Sequence, residues 1–96
     1  MFLYCSGLTT LDVSAFNTSN VTNMSWMFYA CSGLTTIYAS EKFVTMNVSY
    51  SGSMFSDCTN LVGGRGTKAN GGPTDKTCAR IDGGTYNPGY FTEKQT

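Results

Sequence analysis

The residues best equipped for chemistry are the four cysteines, Cys5, Cys31, Cys58 and Cys78, because a thiolate is at once a nucleophile and a metal ligand. Three of them recur at one position of an internal repeat. A cysteine in such a recurring core position behaves as a small buried hydrophobe. Equivalent positions in neighbouring coils lie roughly 5 Å apart, so a bridge is geometrically conceivable, with Cys78 as a partner for one of the others. The chain has no histidine, no Cys-x-x-Cys pair and no acidic cluster, so no zinc or calcium ligand set is assembled. The same lack of histidine removes the Ser-His and Cys-His nucleophile pairs. The carboxylates Asp12, Glu41, Asp57, Asp75, Asp82 and Glu93 fall at different repeat positions, with no two brought together for acid–base work. The expectation is a protein that is not an enzyme and takes no cofactor.

Other suggestive groups reduce to plainer readings. Gly63-Gly-Arg-Gly-Thr-Lys68 lacks the spacing of a phosphate-cradling loop and reads as a turn. The Asn-x-Ser/Thr triplets at Asn17, Asn20, Asn23 and Asn47 are glycan acceptors only in a eukaryotic secretory setting, and otherwise read as turn and cap residues. Trp26 and Tyr29 are the candidate ligand contacts. Trp26 precedes the core Met27, and its repeat counterpart Ser53 is polar, which turns the indole outward. Tyr29 has Leu3 and Ser56 as counterparts, with no fixed chemistry. Exposed aromatics of this kind serve as protein contact points or stack on sugar rings. Six basic and six acidic residues give a formal net charge of +0, without the basic stripe that nucleic acid requires. No apolar run approaches the ~18 residues of a membrane span.

The elements that must position these groups are set by the repeat. Met1-Phe2, Met27-Phe28 and Met54-Phe55 return, followed by Cys5, Cys31 and Cys58 and then by Leu8, Leu34 and Leu61, first after 26 residues and then after 27. The extra residue lies within 38–42. One such unit cannot cover its own apolar face and must stack on a copy. These eleven positions (Phe2, Cys5, Leu8, Met27, Phe28, Cys31, Leu34, Met54, Phe55, Cys58 and Leu61) are the expected structural core. Met1 falls part-way through a unit, which suggests an N-terminally truncated fragment whose cut coil could self-associate without physiological meaning.

Within a unit, Leu11 and Val13 alternate with Asp12 and Ser14 as in a half-buried strand. Met24, Met27, Phe28 and Cys31 follow the spacing of one helical face. Thr22 or Asn23, and Ser49 or Ser51 in the next unit, would cap that helix. Strands in successive units would pair in parallel, the helical half serving as crossover. The predicted fold class is therefore α/β: a leucine-rich-repeat-like right-handed solenoid of short parallel strands and short helices, about two and a half coils plus a C-terminal cap. As one domain it divides into repeat coils over 1–62 and a capping segment over 63–96. In the cap a short helix is predicted over Asp75 to Ile81 and a last strand over Gly89 to Thr92, with Tyr90 or Phe91 covering the final coil.

The run Leu11-Asp-Val-Ser-Ala-Phe-Asn-Thr-Ser-Asn-Val-Thr-Asn-Met-Ser-Trp-Met-Phe-Tyr-Ala-Cys-Ser-Gly-Leu34 resembles the repeat of the BspA-type leucine-rich-repeat bacterial surface proteins, which have a 26-residue repeat. The resemblance covers residues 1 to 62, and the tail is similar to the way arrays of gut-bacterial members end. It implies a secreted or cell-surface location and a non-catalytic role in adhesion, with a host or cell-surface protein or glycan as partner. A structural spacer or a carbohydrate-binding module are the alternatives. The second unit departs from the pattern: Ile37-Tyr-Ala-Ser-Glu-Lys-Phe replaces Leu-Asp-Val-Ser-Ala-Phe, which interrupts any ligand site built on an unbroken ladder of Asp and Asn.

Overall fold

The computed structural model describes residues 7–94; the expectations for Phe2 and Cys5 lie outside them. Three short strands form the one sheet among these residues: β1 (Thr10–Asp12), β2 (Thr36–Ala39) and β3 (Thr92–Glu93), in the order β1-β2-β3. Both pairings are parallel. The register sets Thr10 against Thr36, Leu11 against Ile37 and Tyr38 against Thr92, so the first pairing is offset by one repeat. Val13, Ile37, Ala39 and Phe91 are buried, while Asp12 and Lys94 meet on the outer side at 2.8 Å. The shift in repeat length is also visible. Ser40 Oγ donates to the carbonyl of Ser14, 26 residues back, whereas the Ser49 N–H donates to the carbonyl of Thr22, 27 back.

The α/β solenoid expectation is overturned. The described residues contain no α-helix, and the molecule measures 28 × 26 × 25 Å; it is a small compact β-type fold. The helix expected over 24–31 is replaced by overlapping turns. The N–H groups of Met27, Tyr29 and Cys31 close on carbonyls three residues back, while those of Met24, Trp26, Phe28 and Ala30 donate to Tyr50, Gly52, Met54 and Ser56 in the next unit. An α-helix over these residues would send the N–H groups of Phe28, Tyr29, Ala30 and Cys31 to carbonyls four residues back. Here alternate donors go to a neighbour that waits in register, so Met24, Phe28 and Cys31 still reach the core without a helix. Four-residue spacing of apolar side chains is common to both arrangements, which is why periodicity could not separate them.

The turns require a left-handed backbone at fixed places. Trp26 (φ 67) and Ala30 (φ 59) recur in the next unit as Ser53 (φ 57) and Asp57 (φ 64). Each is the third residue of a turn closed by a hydrogen bond between its ends, a position where type II turns demand positive φ. A Cβ there costs roughly 1–2 kcal/mol, against which glycine loses ~0.5–1 kcal/mol in chain entropy. Ala30→Gly is therefore expected to raise the melting temperature by a few degrees, read by thermal unfolding; a lower value would mean that the Ala30 methyl contributes more by packing than its backbone costs.

Phe28 and Phe55 stack with ring centroids 5.4 Å apart. Leu34 and Leu61 are fully buried, but Leu8 is 40% exposed, a correction to its assignment as core. Leu34 sits between two units and Leu61 between a unit and the C-terminal segment, whereas Leu8 has a described neighbour on one side only. Met27 is half-buried for the same reason, while its counterpart Met54 is fully buried.

The third unit begins as the others do, with the Val62 N–H on the carbonyl of Thr35 just as that of Thr35 is on Thr9. It then leaves the pattern at Gly63. Gly63 and Gly89 are held against backbone: a Cβ on Gly63 would stand 2.1 Å from the Gly89 oxygen, and one on Gly89 would stand 2.2 Å from that of Arg80. The chain returns at 91–94 to occupy the vacated strand position, where the Lys94 N–H donates to the carbonyl of Ala39 at 3.0 Å. Tyr90 and Phe91 are both fully buried. The helix expected over Asp75 to Ile81 shrinks to a single 3-10 turn, Lys76–Cys78, capped by Asp75. The last strand falls at Thr92–Glu93 instead of Gly89–Thr92, because the N–H groups of Tyr90 and Phe91 turn back to Cys78 and Arg80.

Candidate interaction surface

Trp26 and Tyr29 come together as an edge-to-face pair, ring centroids 4.8 Å apart, with the indole 49% exposed. The turn run positions both: the Trp26 N–H donates to Gly52 of the next unit, and the Tyr29 N–H closes on the Trp26 carbonyl. Asn23, expected as a helix cap, instead folds its Oδ1 onto the Ser25 N–H at 2.9 Å. Asn17 and Asp12 make the same local bond to Ser19 and Ser14. These residue types mimic a turn with their own side chains, so the polar rows of the repeat are spent largely on backbone. Other side chains tie the units together, among them Asn47, whose Nδ2 donates to the carbonyl of Ser19, and Asn60, whose Nδ2 donates to that of Ser32.

On the outer face of the sheet the Lys94 ammonium lies 5.5 Å from the centre of the Tyr38 ring and bonds Asp12. The hydrogen bond from Lys94, with help from Ser14, holds the Asp12 carboxyl well below the usual range, and Asp12 in turn raises Lys94. Both partners are close to half exposed, so solvent screens the pair and it adds little to stability.

The cysteines are structural among the described residues. Cys31, Cys58 and Cys78 are buried, and no disulfide joins any two of them, which removes the conceivable bridges among these three. Cys58 Sγ donates to the carbonyl of Phe28 at 2.9 Å, and burial pushes its thiol up to about 11. Labelling the native protein at pH 8 with a thiol reagent should leave Cys58 and Cys78 unmodified, while peptide mapping after denaturation should find both labelled. Native labelling at Cys58 would contradict its burial.

No group of three or more His, Cys, Asp or Glu among the described residues could hold a metal ion. No helix there is long and apolar enough to cross a membrane. The sequence reading missed Asp82, which is 5% exposed and accepts five bonds. Its Oδ2 takes the N–H groups of Arg65 and Thr67, and its Oδ1 takes the Thr67 hydroxyl and the N–H groups of Gly84 and Gly89. Burial pushes its carboxyl upward, but the hydrogen bonds from Gly84, Thr67 and Arg65 outweigh it and hold the group at about 2. An aspartate set before Gly83-Gly84 was the available signal, since such pairs mark tightly turned backbone with free N–H groups.

Residues 1–67 match the family model described as "Mycoplasma protein of unknown function, DUF285". That is 67 of the 96 residues, and the chain belongs to this family. No curated protein and no solved structure matches it. The family description assigns no activity, so function has to be argued from the surface itself.

Proposed function

We propose that this chain is a non-catalytic interaction module of a bacterial cell-surface repeat protein of the BspA type, acting in adhesion and exposed outside the cell, with Trp26 and Tyr29 in contact with a protein partner. The observation that carries this reading is the placement of Trp26. It holds a left-handed backbone conformation (φ 67) with half its surface in water, where the next unit makes the same turn with Ser53. A bulky side chain at positive φ is unfavourable, and such outliers point towards a role beyond folding. An indole held at fixed geometry beside a tyrosine is the sort of anchor that dominates protein contacts.

The test is a binding screen of the protein against immobilised extracellular-matrix proteins and mucins, repeated with Trp26→Ser. The variant carries the residue that the same turn already accepts at position 53, so its melting temperature should hold or rise. Affinity for the captured partner should fall at least tenfold. No partner in the screen, or one bound equally by the variant, would remove Trp26 from the proposal.

A further inference from the structure

Two glycine-rich loops of the C-terminal segment frame an open depression of about 530 Å³, lined by Arg65, Thr67, Thr85, Tyr86 and Pro88 over a floor of glycines. Both loops hang from one buried carboxylate: Asp82 holds the N–H groups of Arg65 and Thr67 on one side and of Gly84 and Gly89 on the other. The second loop is closed again by Gly83 N–H to Asn87 at 2.8 Å and Asn87 N–H to Gly84 at 3.2 Å. Arg80 Nε bonds the carbonyl of Pro88 at 2.8 Å. The depression is thus formed before any ligand arrives, which lowers the ordering cost of binding.

At its rim Tyr86 is 98% exposed, so folding gains nothing from its ring. The Arg65 side chain passes over Gly84, where a Cβ would come within 3.5 Å of its Cδ. Among the described residues no carboxylate pairs with its guanidinium. An aromatic ring, two threonines, a glycine floor whose N–H groups are bonded within the protein so that it offers acceptor carbonyls, and one arginine fork make a polar site with a single stacking wall. That set lacks the apolar pocket a peptide side chain would anchor in. It suits a sugar ring, whose C–H face lies on an aromatic and whose hydroxyls meet hydroxyl and peptide groups. The guanidinium adds a planar two-pronged match for a carboxylate.

We infer that the depression between Arg65 and Tyr86 binds a carboxylate-bearing sugar, the terminal residue of an acidic glycan. This rests on the reading of the chain as a binding module and adds a second, chemically distinct contact to it. The sugar ring stacks on Tyr86, its carboxylate takes the Arg65 guanidinium, and the loops stay as Asp82 sets them.

The full chain is titrated with the methyl glycosides of N-acetylneuraminic acid, glucuronic acid and glucose, followed by ligand-detected NMR and calorimetry. At least one acidic glycoside should bind in the millimolar range or better, and at least tenfold tighter than the glucoside; which of the two binds identifies the source. Tyr86→Ala and Arg65→Gln should each weaken it about tenfold or more with unchanged thermal melts, since Tyr86 is exposed and Arg65 is tied to Asp82 through its backbone. The inference is overturned if neither acidic sugar binds at millimolar concentration, if the glucoside binds as well, if both variants bind normally, or if a short diglutamyl peptide binds as tightly. Trp26-dependent capture of a matrix protein alongside failure with sugars would sink this inference while leaving the proposed function standing.

Discussion

Asp82→Asn is expected to loosen the whole C-terminal segment and to lower global stability by about 2–6 kcal/mol. The carboxylate offers two acceptor oxygens to four backbone N–H groups and one hydroxyl. An amide keeps one oxygen and turns a donor towards the rest. If the nitrogen replaces Oδ2, the N–H groups of Arg65 and Thr67 lose their acceptor; if it replaces Oδ1, those of Gly84 and Gly89 do. Either way two backbone donors are stranded in a part-buried site, each costing about 1–3 kcal/mol. A domain of this length has a stability of the order of 5–15 kcal/mol and sits towards the lower end, so the loss should be plain in urea unfolding. The same carboxylate makes stability depend on acid. Its folded value, about 2, lies below the ~3.9 of an unfolded aspartate, so the unfolded state binds the proton first as pH falls. The stabilisation from Asp82 is therefore complete above about pH 4 and is lost as pH drops through about 2. Urea midpoints measured from pH 7 to pH 2 should fall over that window in the native protein and fall less steeply in Asp82→Asn. Equal slopes would show that Asp82 is not the group that couples acid to unfolding.

The sequence made the register of this molecule legible and its secondary structure only in part. A period of 26 and then 27 residues, marked by Phe28/Phe55 and Leu34/Leu61, predicted which residues lie beside one another, and the ring stack and the β1–β2 register follow it. It did not reveal what the backbone does between those points. Met24, Phe28 and Cys31 are spaced for a helix, yet Trp26 and Ala30 adopt positive φ and alternate N–H groups leave for the next unit. That outcome depends on a neighbour already in register, a tertiary condition that a single-unit pattern does not contain. Asp82 was illegible for a related reason: its five donors come from positions 65, 67, 84 and 89, and only the fold brings them to one side chain. Trp26 was readable as an outward-facing aromatic because Ser53 stands at the same repeat position. The strain beneath it was not, since φ is a property of the turn and not of the residue.

Phe91→Ala is expected to cost about 3–5 kcal/mol, the range for emptying a large aromatic from a packed core. Phe91 has no solvent exposure, and its ring meets three others edge to face: Phe43 at 4.8 Å, Phe55 at 6.0 Å and Phe28 at 6.1 Å. Those three come from two different repeat units, so one side chain from the returning strand closes the aromatic column that the units build. Its backbone works alongside, the Phe91 carbonyl accepting from Asp82 at 2.9 Å. Removing the ring leaves a cavity flanked by groups that cannot collapse together, because parallel pairing of β2 with β3 holds the strand in place on one side. Phe16→Ala is the control: Phe16 is 40% exposed, so the same truncation removes less buried surface and should cost clearly less. Urea unfolding of the two variants gives the comparison, and amide exchange at Lys94, which bonds Ala39, should quicken in Phe91→Ala alone. Similar losses from both substitutions would mean that the returning strand is a passive cover, and that the repeat units hold their aromatic column without it.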